Sequence, residues 1–89
     1  MNVPEAPLHI LYFAWLRERV GAAEEQLPMP EGVSQVGGLI QWLKGRSPVH
    51  AAAFETGAIR CAVNQSFADP STPLHPGDEV AFFPPVTGG

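Results

Sequence analysis

Val36, Leu39, Ile40 and Leu43 sit at i, i+3, i+4 and i+7, forming a long apolar stripe at helical spacing. Around it the chain is cut into short pieces by ten prolines and nine glycines. A chain with one main helix and several short strands must lay that helix across one face of a sheet. The spacing therefore predicts a two-layer α+β domain. A chain of 89 residues has room for one such core and no second one.

The strands are read from β-forming residues between breakers. Leu8 to Phe13 follows Pro7 and is expected as the first strand. Trp15 to Val20 is expected as one or two helical turns, closed by Gly21. Glu24 to Leu27 is a short candidate strand, ended by Pro28 and Pro30 and expected to pair on the first strand as an edge. The main helix is expected from about Ser34, a candidate N-cap, to Lys44, with Gly45 and Ser47-Pro48 ending it. Gly37 and Gly38 weaken it by ~1 kcal/mol each relative to alanine. Two adjacent glycines also suit close packing against a strand. Val49 to Glu55 has room for a further helical turn.

Ile59 to Asn64 alternates, with Ile59, Cys61 and Val63 facing the core and Arg60, Ala62 and Asn64 facing away. Asn64-Gln65-Ser66 is turn-like, and Phe67-Ala68 is a brief returning strand. Glu79 to Phe83 is the last strand, ended by Pro84-Pro85. Val80 and Phe82 share the core side, so Ala81 and Phe83 face outward. The domain is thus expected over residues 1–83, and residues 84–89 form an extended, flexible tail.

Composition narrows the function. The formal charge of -4 leaves no basic patch for phosphates, so no nucleic-acid partner is expected. Cys61 is the single cysteine, which excludes a disulfide framework and a cysteine-only metal site. Burial as a small apolar residue is its favoured role. His9, His50 and His75 lack metal-ligand spacing, so no metal site is expected. No G-x-x-x-x-G-K-[ST] loop is present for ATP. Arg17-Glu18-Arg19 reads as a solvated helix face, with a partner contact as the alternative. No charged segment followed by an apolar run opens the chain, and no run is long enough to span a membrane. A cytoplasmic protein without a membrane partner is expected.

The tail carries the functional signal. Pro84-Pro85-Val86-Thr87-Gly88-Gly89 follows a strand directly and contains no charged side chain. Fully extended, six residues reach ~20 Å. Two terminal glycines let the backbone pass a narrow channel.

The stretch from Pro76 through Gly77-Asp78-Glu79-Val80-Ala81-Phe82-Phe83 to Gly89 resembles the end of the molybdopterin synthase small subunit, the MoaD family. Tyr12 to Gly21 and Ala62-Val63-Asn64-Gln65 resemble that family's first strand and helix and its central strand and turn. Thr87 stands where the family often has serine, and His75-Pro76 is a variable turn. The resemblance runs from about Leu8 to the end.

It implies a ubiquitin-like β-grasp fold with a mixed sheet of about five strands. It also implies a sulfur carrier, whose Gly89 carboxylate is adenylated with ATP by an E1-like enzyme and then converted to a thiocarboxylate. The sulfur passes to cyclic pyranopterin monophosphate inside the large synthase subunit. A sulfur-donating protein is the third partner, and the carrier itself binds no cofactor. On this reading Gly89 is the reacting residue and Gly88 gives it access. Phe83, Pro84, Pro85, Val86 and Thr87 are expected to meet the large subunit. A carrier for another pathway (of the thiamine type), a ubiquitin-like modifier of lysines and a plain interaction module remain the alternatives.

Overall fold

The computed structural model describes residues 6–55 and 59–85. Five strands and three helices follow one another as β1 Leu8–Tyr12, α1 Trp15–Val20, β2 Glu24–Leu27, α2 Val36–Arg46, α3 Pro48–Glu55, β3 Arg60–Val63, β4 Ser66–Ala68 and β5 Glu79–Phe83. The strands form one sheet in the order β2-β1-β5-β3-β4. β1 and β5 run parallel at its centre, while every other pair is antiparallel. This is the mixed α+β, β-grasp arrangement, with β2 at one edge as expected.

Strand alternation sends one side of the sheet into the core. Leu8, Ile10 and Tyr12 of β1 and Val80 and Phe82 of β5 are fully buried. Leu39 and Leu43 of α2 are also fully buried and Val36 nearly so; Ile40 packs against them half-buried. Phe82 is the hub, stacked on Tyr12 at 6.3 Å between centroids and met edge-on by Phe54 at 5.0 Å. Burying one such side chain contributes ~1.5–3 kcal/mol.

The start of α2 differs from expectation. Its N-cap is Gln35 rather than Ser34, with no side-chain cap. The first amides are satisfied at long range instead. Val36 N–H donates to Thr72 O at 3.0 Å and Gly37 N–H to Pro70 O at 2.9 Å. Ser34 lends its carbonyl to Leu74 N–H. The helix entry is therefore stitched into the loop before β5, which meets the orphan-donor requirement without a capping hydroxyl. That close approach also accounts for Gly37. A Cβ there would lie 3.2 Å from Pro70 O, so the glycine packs on a loop and not on a strand.

Gly45 does not end α2, which continues to Arg46. Ser47-Pro48 ends it, and the same dipeptide begins α3. A residue before proline is driven out of the helical region, and Ser47 is extended at φ -163 and ψ 159. Its hydroxyl then accepts from His50 N–H at 3.2 Å, the geometry of an N-cap with proline at the first helical position. The expected single turn is thus an eight-residue helix, and its Ala53 and Phe54 are buried.

Candidate functional site

The root of the tail is held by the centre of the sheet. β5 has a neighbour on each side, pairing Phe82 with Tyr12 and Cys61, and Phe83 with Arg60. Its far end is clamped by Asn64. Asn64 Nδ2 donates to Asp78 Oδ1 at 3.0 Å, Glu79 N–H donates to Asn64 Oδ1 at 3.0 Å, and Asn64 N–H donates to Glu79 O at 2.8 Å. Asn64 and Gln65 both take positive φ, 50° and 70°, and make the whole β3–β4 turn. Ser66, expected in the turn, already belongs to β4. These contacts fix the phase of β5, and with it the side to which Phe83 points.

That side is the solvent face. Phe83, half-buried, lies 6.2 Å from the ring of Phe67, which is 85% exposed. Phe13, 40% exposed, continues the alternation of β1. The register places Leu11, Ala81, Ala62 and Phe67 in one row across four strands. Scattered exposed apolar residues are ordinary, but Phe13, Phe83 and Phe67 add an aromatic row beside the end of β5, the composition of a partner-binding core. Polar groups flank the row, with His9 Nε2 3.0 Å from Glu24 Oε1 on the β1–β2 side.

The expected partner-contacting residues Phe83, Pro84 and Pro85 therefore stand together at the end of β5, half-buried. Val86, Thr87, Gly88 and Gly89 lie outside the described residues. Phe67 and Phe13 are additions that the sequence pattern did not single out. Phe67 sits on a three-residue strand, too short to show a period, and Phe13 is the residue just after β1.

The other candidates fall where their surroundings put them. Burial pushes the Cys61 thiol up to about 11, so it stays protonated and unreactive at neutral pH. His50 packs between α3 and the sheet, its Nδ1 2.7 Å from Ser47 Oγ. Arg17 Nε reaches back to Tyr12 O at 3.4 Å, while Arg19 lies over the Trp15 ring at 5.3 Å. No group of three His, Cys, Asp or Glu among the described residues is placed to hold a metal. None of their helices is long and apolar enough to cross a membrane.

A family model described as the ThiS family matches residues 10–89. The chain belongs to this family. Its curated relatives include the molybdopterin synthase sulfur carrier subunit of Escherichia coli strain K12, 44% identical over 84 residues that cover 92% of this chain and 99% of that protein. Among solved structures, the fold matches a putative molybdopterin converting factor subunit 1 from Pyrococcus furiosus. The TM-score is 0.74 at 31% identity, covering 91% of this chain and 99% of that one. It also matches the small archaeal modifier protein SAMP1 from Haloferax volcanii, with a TM-score of 0.75 at 28% identity, covering 94% and 100%. The β-grasp sheet and the helix across it are thus those of ubiquitin-like sulfur carriers of the MoaD kind.

Proposed function

We propose that this chain is the sulfur-carrying small subunit of a molybdopterin synthase. The observation that carries the reading is the 44% identity, along nearly the whole chain, to a sulfur carrier subunit of that enzyme. The tail root supports it, because an aromatic row stands where a large subunit would grip the domain while the terminus enters its site.

The chemistry follows from the terminus. A free α-carboxylate is ionised at neutral pH and resists attack. An E1-like enzyme activates Gly89 with ATP, forming the acyl-adenylate and releasing pyrophosphate. Sulfide-level sulfur handed over by a sulfur-donating protein then attacks the acyl carbon, AMP leaves, and a thiocarboxylate is formed. Splitting one hard exchange into two easier steps is the usual advantage of a covalent intermediate. The thiocarboxylate sulfur attacks cyclic pyranopterin monophosphate in the large subunit, and water returns the carboxylate. Two such donations build the dithiolene. Gly88 and Gly89 present no side chain to the channel, while Pro84, Pro85, Val86 and Thr87 span the distance from the sheet. The work takes place in the cytoplasm.

The likeness to SAMP1 favours a second reading, in which the activated Gly89 is captured by a lysine amine of another protein. Intact mass of the protein from its native host separates the two. Thiocarboxylate on Gly89, and molybdopterin formed when that protein meets the large subunit and the precursor, supports the carrier. Lysine-linked adducts with no thiocarboxylate overturn it.

A further inference from the structure

β4 ends the sheet order, so one of its sides carries no strand among the described residues. What that edge offers follows from the hydrogen-bond phase. Asn64 N–H donates to Glu79 O, and facing residues of antiparallel strands alternate between bonded and non-bonded pairs. Two residues back, Ala62 therefore turns its N–H and C=O toward Ala81 of β5 and away from its other partner, Phe67. The tight Asn64-Gln65 turn agrees, because such a turn closes on a bonded pair, Val63 with Ser66, and leaves the next pair, Ala62 with Phe67, unbonded. Phe67 thus points its own N–H and C=O out of the sheet, and no described residue outside the sheet takes them. The neighbouring Asp69 N–H is closed off by Thr72 Oγ1 at 3.0 Å.

A groove of about 610 Å³ opens beside this edge. Val36 and Ile40 of α2, with Ile59 and Ala68, supply its apolar wall, and Phe67 and Phe83 border it. Its volume lies within the range that accepts a few residues of peptide. Two charged side chains line it, Arg60 and Asp69. The Asp69 carboxylate is turned into its own loop, accepting from Ser71 N–H at 2.8 Å and from the Ser71 hydroxyl at 2.6 Å. Arg60 has no carboxylate partner among the described residues.

We propose that an extended segment of a partner protein docks here as a further strand antiparallel to β4, carrying aliphatic residues at alternate positions and an acidic residue beside them. Three observations select this occupant. The outward N–H and C=O of Phe67 are one donor and one acceptor at strand spacing, which the backbone of an added strand satisfies together. Side chains of such a strand alternate between faces. The two that flank the residue opposite Phe67 enter the groove against Val36 and Ile40, while the rest share the outer face with Phe67 and Phe83. That face also carries Arg60, paired in register with Phe83, so the groove's uncommitted charge asks for a carboxylate there.

The site is small, with one residue pair of backbone bonds on a three-residue strand. A strand this short resists edge-to-edge aggregation, and the side-chain pattern limits which segments it accepts. The inference does not depend on the sulfur-carrier reading, because it uses only the edge, the groove and one cation.

The test titrates the isotope-labelled full chain by NMR, at neutral pH and physiological salt, with the blocked peptide acetyl-Glu-Ile-Thr-Val-Glu-amide. Its threonine sits opposite Phe67, its isoleucine and valine face the groove, and its glutamates face outward. The Phe67 amide and the Val36, Ile40 and Ile59 signals should move together at up to about 1 mM peptide, the range of a weak encounter. Methylating the threonine nitrogen removes the donor to Phe67 O and should weaken binding about tenfold. Glutamine in place of both glutamates should cost about threefold, the worth of an exposed ion pair. Arg60→Gln, which leaves the edge and the wall intact, should erase that difference. Unmoved groove signals, equal binding of the methylated peptide, or a preference for lysine over glutamate would each overturn the proposal. So would a Phe67 signal that shifts with protein concentration alone, accompanied by a dimer in sedimentation, which assigns the edge to a second copy.

Discussion

Tyr12 donates its phenolic hydrogen to Glu25 Oε2 at 2.7 Å, joining the core side of β1 to a carboxylate on the core side of β2. Arg46 donates to the other oxygen, and His50 Nε2, buried and without a hydrogen-bond partner among the described residues, lies 4.0 Å from Oε2. Residues of β1, β2, α2 and α3 thus meet at one carboxylate. Burial alone raises the Glu25 carboxyl. The hydrogen bonds from Tyr12 and Arg46, with the Arg46 charge, outweigh that and hold it below its ordinary 4.5. Burial, then the Arg46 charge, holds His50 below its ordinary 6.5.

Both shifts act in the same direction on stability. A group whose folded pKa is depressed stabilises the fold above its unfolded pKa, and that contribution is lost as pH falls through the folded value. His50 should begin to cost stability below about pH 6.5, and Glu25 below about 4.5. Melting temperature followed from pH 7 to pH 3 should fall in two stages, and Glu25→Gln should abolish the lower one. An unchanged acid profile in Glu25→Gln would show that another carboxylate governs it. Tyr12→Phe, which leaves the charge one donor short, should cost ~1.5–3 kcal/mol, or roughly 10 °C for a domain of this size.

The two neighbouring glycines of α2 should answer alanine in opposite ways. A Cβ on Gly38 meets nothing nearer than Val33 Cγ1 at 3.8 Å. Gly38→Ala should therefore gain the helix-propensity difference of ~1 kcal/mol and melt about 5 °C higher. A Cβ on Gly37 meets Pro70 O at 3.2 Å and Pro70 Cβ at 3.3 Å. That oxygen accepts the Gly37 N–H, so it cannot retreat without stretching the bond that caps the helix. Crowding of this kind costs ~1–3 kcal/mol, and Gly37→Ala should melt lower than the parent. Equal melting of the two variants would mean the loop yields freely.

These features mark where local sequence ceases to inform. The phase of β5 was legible because Val80 and Phe82 alternate with Ala81 and Phe83, and every apolar residue agrees with one core side. The stripe of α2 was legible for the same reason. Its N-terminus was not. Ser34 has the chemistry of a cap, but the donors are satisfied by Thr72 and Pro70, far along the chain. Glu25 reads as an ordinary polar residue of an edge strand, and only the fold brings Tyr12, Arg46 and His50 to it. Ser47-Pro48 read as a stop, yet a helix stop and a helix start share the same backbone requirement there. At the site, Phe83 was legible from alternation, whereas Phe67 needed the two-residue turn to set its register opposite Ala62.

Phe67 offers the cleanest test of the aromatic row, because it is nearly free of the fold. Phe67→Ala should leave the melting temperature within about 3 °C, since exposed substitutions usually stay within ~0.5 kcal/mol. Binding to the large synthase subunit should weaken about 30-fold, the equivalent of ~2 kcal/mol for an anchor at an interface centre. Phe83→Asp should weaken binding at least as much. Calorimetry with the large subunit checks both. Native affinity in Phe67→Ala would place the partner on another face.

The terminus admits a sharper experiment, because its position and its chemistry can be separated. If the Gly89 carboxylate is the reacting group, one added alanine moves the reactive carbon ~3.5 Å farther along the chain. A displacement of only ~1 Å can cost 100-fold in rate, and the new methyl must pass wherever Gly88 and Gly89 now pass. The fold should not respond, since the tail starts beyond β5 and the core is complete at Phe82. Partner binding should survive in part, because Phe67 and Phe83 are untouched. The extended protein should therefore melt like the parent, retain measurable affinity for the large subunit, and yield almost no thiocarboxylate or molybdopterin. Melting and binding serve as controls that the loss is chemical rather than structural. Full product yield from protein whose mass still includes the alanine would remove Gly89 from the reaction and leave the aromatic face as a docking surface alone.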